Sequence, residues 1–120
     1  MKIITKRIHA FLDYPVAIAL ILLPFLLGLG SSNSLAQWLS VCTGAAAFIL
    51  TLLTDHHLGV IRVIPYKGHL MVDFIVGVVF VIAPFAFAFQ GIDAIYYAVN
   101  GGAVLTVVSL HKPEVSVSTT

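Results

Sequence analysis

Two histidine–aspartate pairs of identical spacing are the residues of this chain best suited to chemistry. Asp13 follows His9 by four residues, and Asp73 follows His69 by four. Residues four apart stand on one face of a helix, so each pair sets an imidazole beside a carboxylate. His56 and His111 stand two residues after Thr54 and Ser109, at the ends of apolar runs. Imidazole and carboxylate together suit Zn, Fe, Mn or Cu. His9, Asp13, His56, His69, Asp73 and His111 could therefore hold one or two ions for redox or hydrolytic chemistry. In a variant, two of the histidines would be axial ligands of a haem. Two other readings stay open. The cluster could be a structural or partner-binding clamp, because an Asp in a first helical turn and a His in a last turn both favour the helix dipole. It could also be a proton or ion path, with Asn100 the one strong polar residue further along; Asn100 is read as an interhelical hydrogen-bonding residue. Asp55 and His57 lack counterparts, since Leu110 and Lys112 stand in their places, and they stay outside the set. No catalytic residue is assigned.

The repeated spacing belongs to a longer repeat. Arg7-Ile8-His9 through Asp13 to Pro24-Phe25 recurs, 60 residues on, as Lys67-Gly68-His69 through Asp73 to Pro84-Phe85. Ala17 corresponds to Gly77. At an offset of 55, Thr51, Thr54 and His56 correspond to Thr106, Ser109 and His111. An internal repeat of this kind indicates tandem duplication. Residues 1–57 form a first two-helix repeat, 58–68 a link along the membrane surface, 69–112 a second two-helix repeat and 113–120 a polar tail.

Composition says what must position these residues. Of 120 residues 60% are hydrophobic and 9% charged, with a mean hydropathy of +1.08, whereas soluble domains carry about 25% charged residues. This chain belongs in a bilayer. A net charge of +1, with no basic patch, gives no reason to expect nucleic acid. Apolar runs over about 8–30, 35–54, 69–89 and 94–110 approach the ~20 residues of a spanning helix. Gly30–Ser34 and Gln90–Asp93 read as turns. The first run also looks like a signal peptide with Ser34-Leu35-Ala36 as cleavage site, but its duplicate at Lys67 cannot be one, and both are read as spans. Pro15 falls in a first turn, where Pro is tolerated, and Pro24 and Pro84 kink or end their helices. Trp38 reads as an interfacial aromatic, Cys42 as a small buried hydrophobe, and Phe85, Phe87 and Phe89 as lipid-facing or packing residues. All six Lys and Arg residues lie at the N-terminus, the link or the C-terminus, which places both termini in the cytoplasm by the positive-inside rule.

Leu23-Pro24-Phe25-Leu26-Leu27-Gly28 and Ala83-Pro84-Phe85-Ala86-Phe87 resemble the SPW repeat, with Leu or Ala and Phe where the Ser-Pro-Trp motif has Ser and Trp. That family consists of small prokaryotic membrane proteins built from two-helix repeats, with no established activity to carry over. The resemblance implies a prokaryotic inner (plasma) membrane. The expectation is an all-α integral membrane protein of four transmembrane helices in two tandem hairpins, carrying a His/Asp metal cluster near the cytoplasmic interface. Its partners are the lipid bilayer and, because one such bundle is thin for a substrate pocket, further copies of itself or a larger membrane partner.

Overall fold

The structure is a computed structural model that describes residues 6–54, 60–61 and 63–110; the side chains of residues 6, 7, 9, 10 and 66 lie outside the description. The chain is all-helical: α1 (Lys6–Leu26), α2 (Leu35–Leu53), α3 (Tyr66–Ala86) and α4 (Ile92–Ser109). α2, α3 and α4 are long and apolar enough to cross a membrane, whereas the apolar part of α1, Phe11–Leu26, is shorter. Large apolar side chains cover the outside, among them Phe11, Leu26, Met71, Phe85 and Val99, as expected where the solvent is lipid.

Each helix packs mainly on its neighbour in sequence, α1 on α2 and α3 on α4. Small residues make this close approach possible. A Cβ on Gly44 would lie 2.8 Å from the Ala17 carbonyl oxygen, and one on Gly101 would lie 2.9 Å from that of Gly77. These equivalent contacts set Gly44 and Gly101 57 residues apart, where matching residue types in the second helices gave an offset of 55. α1 and α3 end alike: the Leu29 amide donates to the Pro24 carbonyl (2.9 Å) and that of Phe89 to Pro84 (3.0 Å). The intervening residues, Gly28 (φ 68°) and Ala88 (φ 55°), adopt positive φ, the left-handed step that closes many helices.

Both Pro24 and Pro84 lie inside their helices, two residues before the end. Pro24 deprives the Leu20 carbonyl of its helical donor, and the Ser40 hydroxyl supplies one at 2.8 Å. Pro15 is not in a first turn, because α1 begins at Lys6. Cys42 is exposed rather than buried; it stands on the outer face of α2, while Ser40 and Gly44 on the inner face are buried. After α2 the chain folds back, and the amides of Val60 and Ile61 bond the Leu52 carbonyl while those of Val63 and Ile64 bond that of Leu53. The last carbonyls of α2 thereby gain the partners that a helix end lacks.

The two hairpins are laced together at the turns. Asp93, fully buried, accepts bonds from the Gly30 amide (2.9 Å), the Ser32 amide (3.0 Å) and the Ser32 hydroxyl (2.6 Å). The Asn33 side chain donates to the Phe87 carbonyl at 3.3 Å. Tyr97, also fully buried, donates to the Ala36 carbonyl at 2.6 Å and packs on Phe80 and Phe89. Phe85 faces outward and Phe89 inward. Tyr96 lies 2.7 Å from the Ser40 hydroxyl. Since that hydroxyl gives its only hydrogen to Leu20, Tyr96 is the donor.

Candidate functional site

At the opposite end, α1 and α3 bring three of the six candidate residues into one group. His69 lies in the first turn of α3, where its amide bonds the Pro65 carbonyl at 3.2 Å. Its imidazole is almost completely buried. Nε2 stands 3.1 Å from Oδ2 of Asp13 on α1 and 3.3 Å from Oδ2 of Asp73, one turn further along α3. The expected four-residue pairing thus holds for His69 and Asp73, and the Asp13 carboxylate joins it from the other hairpin. Both carboxylates are mostly shielded, with side-chain exposures of 12% and 19%.

The far side of the ring is held by a residue that sequence reasoning placed only at the end of a helix. The Thr54 hydroxyl lies 2.7 Å from His69 Nδ1 and donates to the Leu50 carbonyl at 2.6 Å. A hydroxyl has one hydrogen. With that hydrogen on Leu50, Thr54 must accept from the ring, so Nδ1 carries a proton and Nε2 is the nitrogen presented to the carboxylates. A histidine that ligates through one nitrogen is oriented in this way through the other.

Neither aspartate is in a first helical turn: Asp13 is two turns into α1, and no acidic residue occupies the first turn of α1 or α3. The helix dipole, which fades within one turn, therefore does not account for Asp13 or Asp73. The His9 side chain, His56 and His111 lie outside the described residues, as do Asp55 and His57. Among the described residues, Asp13, His69 and Asp73 offer three ligand atoms within 4.8 Å of one another. A haem held by two histidines would need a second one, and His69 is the one histidine in this described group.

The group opens on a cleft of about 370 Å³ between the hairpins, walled by apolar residues of all four helices. Asn100 is among its lining residues. Its side-chain amide donates to the Tyr96 carbonyl within α4 at 2.8 Å, so the interhelical bond expected of Asn100 is an intrahelical one. Besides Thr54, the sequence reading missed Asp93, Ser40, Tyr96 and Tyr97 as bonding partners. The available signals were Asp93 in the turn that contains Gly91 and the Ser32 hydroxyl in the other turn.

The family model for the SPW repeat domain matches residues 7–112. No curated protein and no solved structure matches the chain.

Proposed function

Since the chain belongs to the SPW repeat family, we propose that it serves as a small membrane protein whose Asp13–His69–Asp73 group binds one divalent transition metal. The observation that carries this is the convergence of two carboxylates, from two helices, on one imidazole nitrogen. A clamp requires one carboxylate on one N–H. Here two carboxylates lie 3.1 and 3.3 Å from a single nitrogen, largely out of contact with solvent. Like charges this close repel, and an ionisable group in a membrane segment is costly. A shared cation removes the conflict. Two ligands bound at about 2.1 Å to one ion lie roughly 3.0–3.4 Å apart for angles from square to tetrahedral, a range that includes both distances. The single nitrogen and two carboxylates suit Zn, Mn or Fe better than Cu(I), which selects sulfur ligands. Such a metal would serve redox or hydrolytic chemistry.

The matched bounds of α1 and α3, 60 residues apart, and their matched helix ends support the two hairpins as tandem copies. The basic residues support four spans with both termini cytoplasmic, in a prokaryotic inner membrane. The exposed apolar surface also leaves room for a homo-oligomer or a larger membrane partner.

The test is elemental analysis of the tag-free protein in detergent, before and after metal loading. About one metal ion per chain is expected, and it should be lost on His69→Ala, with the helical content retained. A metal-free wild type after loading would refute the proposal and leave a shared proton as the means of reconciling the two carboxylates.

A further inference from the structure

We infer that the segment joining the two hairpins is a docking surface for anionic phospholipid, with Val60, Ile61 and Val63 entering the edge of the bilayer and the basic residues of this end drawing the phosphate headgroups. The inference goes beyond the metal reading and does not rest on it. Its first support is where the segment stands. α2 is long and apolar enough to span, and the amides of Val60, Ile61, Val63 and Ile64 bond its Leu52 and Leu53 carbonyls. A parallel bridge between Thr54 and Ile64 keeps the same register. The segment is therefore fixed at the end of a spanning helix, where hydrocarbon gives way to headgroups.

The side chains select what covers it. Ile64 is partly buried, while Val60, Ile61 and Val63 are 71%, 58% and 67% exposed. Apolar side chains left in water are unfavourable, and a segment at a membrane interface removes them by dipping into the boundary between headgroups and acyl chains. The charge beside them has mainly one sign. Arg62 interrupts the apolar run in the sequence, and Lys67 is exposed in the first turn of α3. α1 begins at this same end with Lys6 and Arg7, and Lys112 follows α4. Of the five acidic residues, Asp93 is at the opposite end, bonded to Gly30 and Ser32, and Asp13 and Asp73 are mostly shielded. Asp55 and Glu114 remain against six Lys and Arg residues. Basic residues among apolar ones at a membrane edge fit a lipid surface of negative charge. A zwitterionic surface would engage the apolar side chains alone.

The experiment uses the full chain in phosphatidylcholine nanodiscs that contain a fixed fraction of brominated phosphatidylglycerol or, in a parallel sample, of brominated phosphatidylcholine. Bromine quenches a nearby tryptophan, so the ratio of the two quenching strengths gives the lipid preference at that position. Both leaflets of a nanodisc have one composition, which lets the two ends of the bundle be compared directly. Wild type reports the turn end through Trp38, its single tryptophan, half exposed and with no Lys or Arg in either turn. Trp38→Phe with Ile61→Trp moves the reporter to the joining segment; Val63→Trp is a second reporter there, and circular dichroism shows that each variant is folded. At position 61 phosphatidylglycerol should be preferred about fivefold at low salt, the contribution of one basic residue near an anionic surface. The preference should fall toward one when Arg62→Gln and Lys67→Gln are added, and also at high salt. At Trp38 it should stay near one throughout. Equal quenching by the two lipids at positions 61 and 63 would overturn the inference. So would weak quenching by both, which would put the segment in water or against a protein, or a preference that survives the paired substitution.

Discussion

Thr54→Val tests the role of the His69 ring directly, because it replaces a hydroxyl with a methyl of nearly the same size. In the metal-bound state Nε2 is committed to the ion, so the ring proton must stay on Nδ1, where Thr54 accepts it at 2.7 Å. With valine there, that N–H points at a methyl in a buried site. A stranded buried donor costs about 1–3 kcal/mol, which corresponds to about 5- to 150-fold in affinity at 1.4 kcal/mol per decade. The metal-free protein avoids this cost by moving the proton to Nε2, between the two carboxylates. The penalty therefore falls on the bound state and appears as weaker metal binding. The lost bond from Thr54 to the Leu50 carbonyl is common to both states and cancels. The assay is competition against a chelator of known affinity in nanodiscs, with Thr54→Ser as the control that keeps the hydroxyl. A drop of roughly 10–100-fold for valine, the usual range for such an outer partner, with little change for serine, is the expected result. Equal affinities for wild type and Thr54→Val would refute the assigned tautomer and the role of Nε2 with it.

Three further predictions concern the fold that positions the site. Asp93→Asn removes the charge from three bonds of 2.6–3.0 Å to Gly30 and Ser32 and should cost about 2–4 kcal/mol, measured by unfolding in mixed micelles. Ser40→Ala leaves both the Leu20 carbonyl and the Tyr96 hydroxyl without their partner; a cost of about 1–3 kcal/mol is expected. Tyr96→Phe should then cost less in that background than in wild type, and additive losses would show that the two do not act as a unit. Ala88→Gly relieves a positive φ that costs an L-residue roughly 1–2 kcal/mol, less the greater entropy of glycine. A net gain of about 0.5–1 kcal/mol is expected, and Gly28→Ala should lose a similar amount.

The membrane class, the four helices and the pairing of His69 with Asp73 were legible because each follows from local sequence: apolar run length, or a four-residue spacing on one helix face. The SPW resemblance came from two Pro-Phe elements and is matched by the family model over residues 7–112. What could not be read was which residues meet across hairpins. Asp13 meets His69 only through the placement of α1 beside α3, and no spacing encodes that. Thr54 looks like any helix-end threonine until the ring is found against it. Asn100 was misjudged because a polar residue in an apolar run suggests a partner on another helix, whereas its own Tyr96 carbonyl is in reach one turn back. Cys42 was misjudged because in lipid an exposed position carries no penalty for an apolar side chain, so an apolar run does not say which face is inside.

The chain contains its own control for what a structural clamp looks like. Asp93 is one carboxylate surrounded by donors, namely two amides and a hydroxyl, in the first turn of α4, where the helix dipole favours it. Around His69 two carboxylates converge on one nitrogen, and neither lies in a first helical turn. Asp73 is on the same helix as His69, so their contact does not itself join the hairpins, whereas the Asp13–His69 contact and the Thr54–His69 bond do. Asp73→Asn keeps the shape of the side chain and an acceptor oxygen beside His69, so it should cost less unfolding stability than Asp93→Asn, or raise it by relieving repulsion between the carboxylates. The same substitution should abolish stoichiometric metal binding, because it removes one of three ligands. Mixed-micelle unfolding and elemental analysis on one preparation read both quantities. A loss of stability as large as that of Asp93→Asn, with metal content unchanged, would make the His69 group a second clamp and refute its assignment as a metal site.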